Sequence, residues 1–175
     1  YGGSCFPKDT IALARIGQTH GAPMRIVETV IDVNDARKRH MVSKIVGALD
    51  DRVAGRRIAV FGVTFKPETD DMRDAPSLTI VPALIGAGAK VAACDPQGRK
   101  EGEALLPGVD WIEDPYAAAT GADALVVLTE WNMFRALDLD RLRDVMAGNV
   151  LVDLRNIYQP AEARTAGFNY TGVGR

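Results

Sequence analysis

The sequence predicts an α/β fold: a long central helix followed by a doubly wound, mostly parallel Rossmann-like sheet. Three observations carry this expectation. Apolar runs of strand length recur from residue 57 onward. Helical patterns separate them, and such alternation implies parallel strands, because each parallel return needs a crossover. Ahead of the first strand, from Met24 to Val53, apolar residues recur at spacings of three and four.

Taken in order, residues 1–23 read as a loop with a short helical piece at Thr10–Ile16, interrupted by Gly17, Gly21 and Pro23. The stretch 24–53 reads as one helix, with Ile26, Val27, Val30, Ile31, Val33, Met41, Ile45 and Leu49 on its apolar positions. That length suits a helix that bridges two domains or packs against a partner's copy. Ala54-Gly55 closes it. Arg57–Phe61 is a buried strand that stops at Gly62, and a polar loop runs from Val63 to Ala75. Pro76 suits a first helical turn, so Ser77–Ile85 is helical until Gly86 and Gly88. Lys90–Cys94 is the second strand, residues 99–106 a short helix, and Val109–Ile112 a third strand. Tyr116–Thr120 is a helical turn, Ala124–Leu128 a fourth strand, Leu137–Met146 a helix and Val150–Leu154 a fifth strand. Phe168–Val173 reads as a last strand or an extended arm.

Composition narrows the function classes. The 175 residues carry a net charge of -2, with 47% hydrophobic and 25% charged residues. This balance asks for neither nucleic acid nor an anionic membrane surface. No apolar run approaches the roughly 20 residues of a membrane span. Two cysteines do not make a disulfide framework and suit a reducing cytoplasm.

Cys5 stands in Gly2-Gly3-Ser4-Cys5-Phe6-Pro7-Lys8-Asp9. A cysteine attacks as thiolate, which nearby positive charge favours. Lys8 lies three residues on, and Asp9, four residues on, is placed to hold a water or a proton beside the sulfur. Most lone cysteines are small buried hydrophobes. The neighbours of Cys5 make no apolar pocket, whereas Cys94 ends the apolar run VAAC and reads as structural.

Ligands on doubly wound sheets sit at the carboxyl ends of the strands. The loop Phe65–Arg73 lies at such an end, but no Gly-x-Gly-x-x-Gly follows Gly62. Lys66 and Arg73 suit a pyrophosphate, or else belong to a solvated charged loop. Arg155 follows VLVDL, either as a ligand contact or as an ion pair with Asp153 or another carboxylate. Asp95 suits a ribose or a turn before Pro96. His20 and His40 lack partners at metal-ligand spacing, and no metal site is expected. The run Arg37–Arg39 reads as the solvated helix face, and Trp131 and Phe134 as packing residues.

Four motifs then carry a family resemblance: GGSCFPKD at 2–9, FGVTFKPETDDMRDAP at 61–76, LTEWNMF at 128–134 and DLRNIY at 153–158. With them the chain resembles the C-terminal part of the nucleotide-sugar dehydrogenase family, in its UDP-glucose branch. The resemblance implies an NAD-dependent enzyme that oxidises UDP-glucose to UDP-glucuronate in two hydride transfers. It implies Cys5 as the nucleophile, through a thiohemiacetal and a thioester, and Asp9 as the residue assisting water and proton transfer. Lys8 and Arg73 match positions that face NAD. Tyr1, Gly2, Phe65, Lys66 and Arg155 match positions around the UDP-sugar. It further implies a homodimer through the central helix, a role in polysaccharide biosynthesis, and three parts: the catalytic-cysteine loop segment 1–23, the central helix region 24–54 and the UDP-sugar-binding domain 55–175.

The family's NAD fingerprint, its catalytic glutamate and the lysine and asparagine of its central helix have no match here. The expectation is therefore an incomplete C-terminal fragment, inactive alone; NADH formation from UDP-glucose by this chain would contradict it. A GDP-mannose or other UDP-sugar dehydrogenase is the near alternative, although Phe6 and DLRNIY favour the UDP-glucose type. A UDP-sugar-binding or dimerisation module without catalysis is the alternative from another class. A thiol redox protein would want a second cysteine nearer than Cys94.

Overall fold

In the computed structural model, which describes residues 1–175, the apolar runs form one sheet. Its strands are β1 (Arg57–Phe61), β2 (Lys90–Cys94), β3 (Asp110–Trp111), β4 (Ala124–Val127), β5 (Val150–Asp153) and β6 (Asn169–Gly172). Their spatial order is β3-β2-β1-β4-β5-β6, and every pairing is parallel. The order reverses beside β1, where Ile58 pairs Val91 of β2 on one side and Ala124 of β4 on the other. In sheets of this kind ligands bind at such a switch point, outside the carboxyl ends of the strands.

Each central strand is apolar on both faces because helices cover both. Ile58 and Val60 point to one layer, with Met41, Ile45, Ile80 and Leu84. These four come from α2 (Arg25–Ala48) and α3 (Ser77–Gly86). Ala59 and Phe61 point to the other layer, with Ala118, Leu142 and Phe134. That layer is built by α5 (Pro115–Ala119), α6 (Asn132–Arg135) and α7 (Leu139–Val145). The Phe61 and Phe134 rings stack with centroids 4.8 Å apart. Two short helices, α4 (Arg99–Leu105) and α8 (Pro160–Thr165), complete the crossovers.

The first segment differs from the expected loop. A 14-residue helix, α1 (Phe6–Thr19), replaces the short piece at 10–16. Pro7 starts it, because a proline in the first turn loses no intrahelical hydrogen bond. Gly17 does not break the helix; it is the residue that lets the following turn pack close, since a Cβ there would lie 2.7 Å from the Ala22 carbonyl oxygen. The α2 helix ends at Ala48, short of Val53. Asp50 and Asp51 adopt positive φ and turn the chain toward β1.

The amino-terminal half of α2 leaves Ile26, Val30 and Val33 exposed at spacings of four and three, and Leu13 and Ile16 of α1 are exposed too. Further along, Lys44 Nζ donates to the Gly172 carbonyl at 3.0 Å and ties α2 to β6.

Candidate functional site

The strand ends are locked to one another before any ligand is considered. Asp95, just after β2, accepts from the Val63 and Thr64 amides through Oδ2, at 2.6 and 3.1 Å. The Thr64 hydroxyl and Trp131 Nε1 reach the same oxygen at 3.2 and 3.3 Å. Its Oδ1 accepts from the Gln97 and Gly98 amides at 2.9 and 2.7 Å. The turn-forming role is thus filled, and neither oxygen is left free to meet a ribose. Thr129, at the end of β4, donates to the Thr64 carbonyl at 2.7 Å. Gly62 makes this closeness possible: φ is +81°, and a Cβ would fall 2.4 Å from that of Thr129.

The loop leaving β1 curls back so that the Phe65 amide donates to the Asp71 carbonyl at 2.9 Å. This turns the half-buried Phe65 ring toward the start of the chain. The buried Gly2 and Gly3 lie along it, and a Cβ on either would sit 2.7 Å from a ring carbon. Two motifs more than 60 residues apart in sequence therefore meet in one contact.

Cys5 caps α1 at its amino end and is exposed. Free N–H groups at a helix start favour a negative charge there. The Ser4 hydroxyl lies 3.6 Å from the sulfur. Asp9 is one turn further on, its amide bonded to the Cys5 carbonyl at 2.9 Å, so both residues share one helix face. Lys8 pairs only with Asp9, at 3.7 Å and largely in water, which adds little stability.

Asp71 grips Arg73. The Arg73 amide and Nε both reach Oδ1 at 2.9 Å, and Nη2 reaches Oδ2 at 3.1 Å. The guanidinium holds the Asp71 carboxyl below its ordinary 3.8, and Ser4 adds to the effect. The same pairing raises Arg73, with a smaller contribution from nearby Cys5. Cys5, Ser4, Asp71 and Arg73 are therefore brought together.

Arg155, after β5, faces a different cavity of about 230 Å³, shared with Tyr1, Arg37, Lys38, Leu128 and Leu154. The carboxylate expected for it is Glu130, not Asp153. Nε donates to Glu130 Oε2, and Nη2 to Oε1 at 2.7 Å. Burial alone would raise Glu130; the bonds from Arg155, with the nearby charge of Arg135, outweigh that and hold it low. Asp153 is fully buried instead, accepting from the amides of Arg155 and Tyr158 and from the Tyr170 hydroxyl.

Of the residues singled out in the sequence, Tyr1 and Arg155 share a cavity, Gly2 meets Phe65, and Cys5 lies near Arg73. Lys66 is exposed and joins none of them. Arg37 and Lys38 belong to the run whose charge pattern marks a solvated face. They line the Arg155 cavity, and only 11% of the Lys38 side chain is exposed, between Asp35 and Asp74. The i,i+3 pairing of Asp35 with Lys38 was the available signal. Cys94 is buried and donates to the Glu113 carbonyl at 3.2 Å, its thiol pushed up to about 12 by burial.

A doubly wound parallel sheet, with polar loops gathered at its switch point, defines the class of α/β nucleotide-binding domains. Comparison with known proteins narrows this class. Residues 59–160 match the UDP-glucose/GDP-mannose dehydrogenase family, UDP binding domain, and residues 1–36 match the central domain of the same family. The chain is 54% identical, over all its 175 residues, to UDP-glucose 6-dehydrogenase of Rhizobium meliloti (strain 1021). It superposes with a TM-score of 0.83 and 34% identity on a UDP-glucose dehydrogenase from the archaeon Pyrobaculum islandicum, covering 99% of this chain and 38% of that one. It superposes with a TM-score of 0.88 and 30% identity on NDP-N-acetyl-D-galactosaminuronic acid dehydrogenase from Methanosarcina mazei Go1, covering 100% and 38%. The chain belongs to the UDP-glucose/GDP-mannose dehydrogenase family. It spans about 40% of the length of the curated relatives it matches. No helix is long and apolar enough to cross a membrane.

Proposed function

We propose that this chain holds the UDP-sugar and the reacting thiol of an NAD-dependent UDP-glucose 6-dehydrogenase. One observation carries the reading: the Gly2-Gly3 backbone seats on Phe65, which sets the Cys5 segment against the loop of the UDP binding domain. In this reading Tyr1 and Arg155, which line one cavity, contact the nucleotide-sugar together with Gly2, next to Tyr1 in sequence, and Phe65, which Gly2 meets; Lys66 reaches it from its exposed position on the loop after β1. Cations such as Lys66 and Arg155 suit its diphosphate and hold it away from the reacting carbon.

The Cys5 thiolate adds to the C6 carbonyl carbon of the sugar, forming a C–S bond that retains the aldehyde between the two oxidations. Asp9, on the same helix face, takes the proton from the water that later cleaves the acyl–sulfur bond. Lys8 and Arg73 are exposed cations, and such groups fit the polyphosphate side of NAD. When bound, NAD accepts the hydride of each oxidation. No glycine-rich phosphate loop follows β1, so the residues present form only an edge of that cofactor site.

Exposed Ile26, Val30 and Val33 suit a homodimer through α2. Two free cysteines suit the cytoplasm. A second reading keeps the UDP group, as the match to the UDP binding domain suggests, but takes an N-acetylated sugar, as the superposition on NDP-N-acetyl-D-galactosaminuronic acid dehydrogenase suggests. Calorimetric titration with UDP-glucose, UDP-N-acetylgalactosamine and GDP-mannose tests both. Binding of UDP-glucose in preference to the other two is expected. Preference for the N-acetyl sugar selects the second reading, and binding of GDP-mannose alone overturns both.

A further inference from the structure

Arg155 does not face its cavity unaided. Its backbone amide is fixed by Asp153, itself held by Tyr158 and Tyr170. Its side chain is fixed by the fork to Glu130. A guanidinium has five N–H donors in a rigid plane. Two of them engage Glu130, which leaves three, one on Nη2 and two on Nη1. The pair stays partly open, with 35% of the Arg155 side chain and 25% of that of Glu130 exposed. Arg155 lines the cavity that Tyr1 also lines. Glu130 follows β4 and Arg155 follows β5, so the fork spans two neighbouring strand ends.

We propose that Glu130 is a positioning residue for ligand binding: it orients the Arg155 guanidinium so that its remaining donors meet the diphosphate of a nucleoside diphosphate. The proposal rests on the reading of Arg155 as a nucleotide contact. Two effects of the carboxylate oppose each other. By charge alone, Glu130 repels an anionic ligand and partly neutralises Arg155. By geometry, it removes the rotamer freedom that a long side chain would otherwise lose on binding. The two effects predict opposite signs on its removal. The bidentate geometry and the double fixing of Arg155 favour the second.

The test is a double-mutant cycle in this chain, read as UDP affinity by calorimetry. Glu130→Gln keeps the shape and removes the charge; it is expected to weaken UDP binding about ten-fold, the scale of one charged hydrogen bond. Arg155→Ala weakens it at least as much. The double variant then binds like Arg155→Ala alone, because Glu130 acts only through Arg155. Glu130→Asp, which keeps the charge but shortens the reach, falls between wild type and Glu130→Gln. Thermal unfolding of each variant identifies any general loss of fold, which would also weaken the Arg155→Ala background further. Unchanged or tighter binding by Glu130→Gln overturns the proposal, as do additive losses in the double variant. A wild-type chain that fails to bind UDP overturns the reading of Arg155 as well.

Discussion

Replacing Gly62 by alanine tests how firmly the strand-end loops are set. The new Cβ would lie 2.4 Å from Thr129 Cβ and 2.8 Å from its amide nitrogen. An ordinary contact begins near 3.4 Å, so the two strand ends must part by about 1 Å, the difference between 3.4 and 2.4. Thr129 cannot swing aside, because it is buried and its hydroxyl is bonded to the Thr64 carbonyl. Overpacking of this kind costs about 1–3 kcal/mol. Holding an L-residue at the observed φ of +81° costs roughly 1–2 kcal/mol more. The expected loss is therefore about 2–5 kcal/mol, out of the roughly 5–15 kcal/mol that hold an ordinary domain. At about 2–4 °C per kcal/mol for a chain of this size, the melting point falls by roughly 4–20 °C. Urea and thermal unfolding followed by circular dichroism measure it. Gly47→Ala is the control: it lies in α2 with nothing within 4 Å, and should stabilise by about 0.5–1 kcal/mol. A Gly62→Ala loss below about 1 kcal/mol would refute the steric argument.

Two further outcomes follow from the same structure. Iodoacetamide should modify native protein at Cys5 only, because Cys94 is buried and its thiol stays protonated until about pH 12. Mass spectrometry should find a Cys94 adduct only after denaturation; comparable native rates would sink this. Asp95→Ala strips the acceptor from four backbone amides at once, at a cost of about 3 kcal/mol or more. Trp131 also loses its partner, so its emission should move to the red, and an unchanged spectrum and stability would contradict the assigned role.

The sheet was legible because its physics is local. RIAVF and KVAAC are apolar on both faces and stop at special residues, and both strands begin and end where the pattern does. The third strand shrank to two residues at the sheet edge, where one neighbour is missing. The helices α6 and α8, of four and six residues, are too short to show a period. The extent of α1 was hidden because glycine was read as a breaker at position 17, where tertiary approach requires one. At the site, the motifs marked the residues but not their partners. That Arg155 meets Glu130 rather than Asp153 depends on which strand lies beside β5, and no spacing encodes that neighbour.

The seat of Gly2 and Gly3 on Phe65 has a consequence for how such sequences diverge. The aromatic ring and the two glycines fall on opposite sides of the gap between the two matched family segments, 1–36 and 59–160. Neither side can change its bulk without the other. Across relatives, a side chain larger than hydrogen at position 2 or 3 should travel with a smaller residue at position 65. A chimera that exchanges only one of the segments should inherit a misfit wherever that pairing differs. The contact thus acts as a compatibility check between the two stretches of chain.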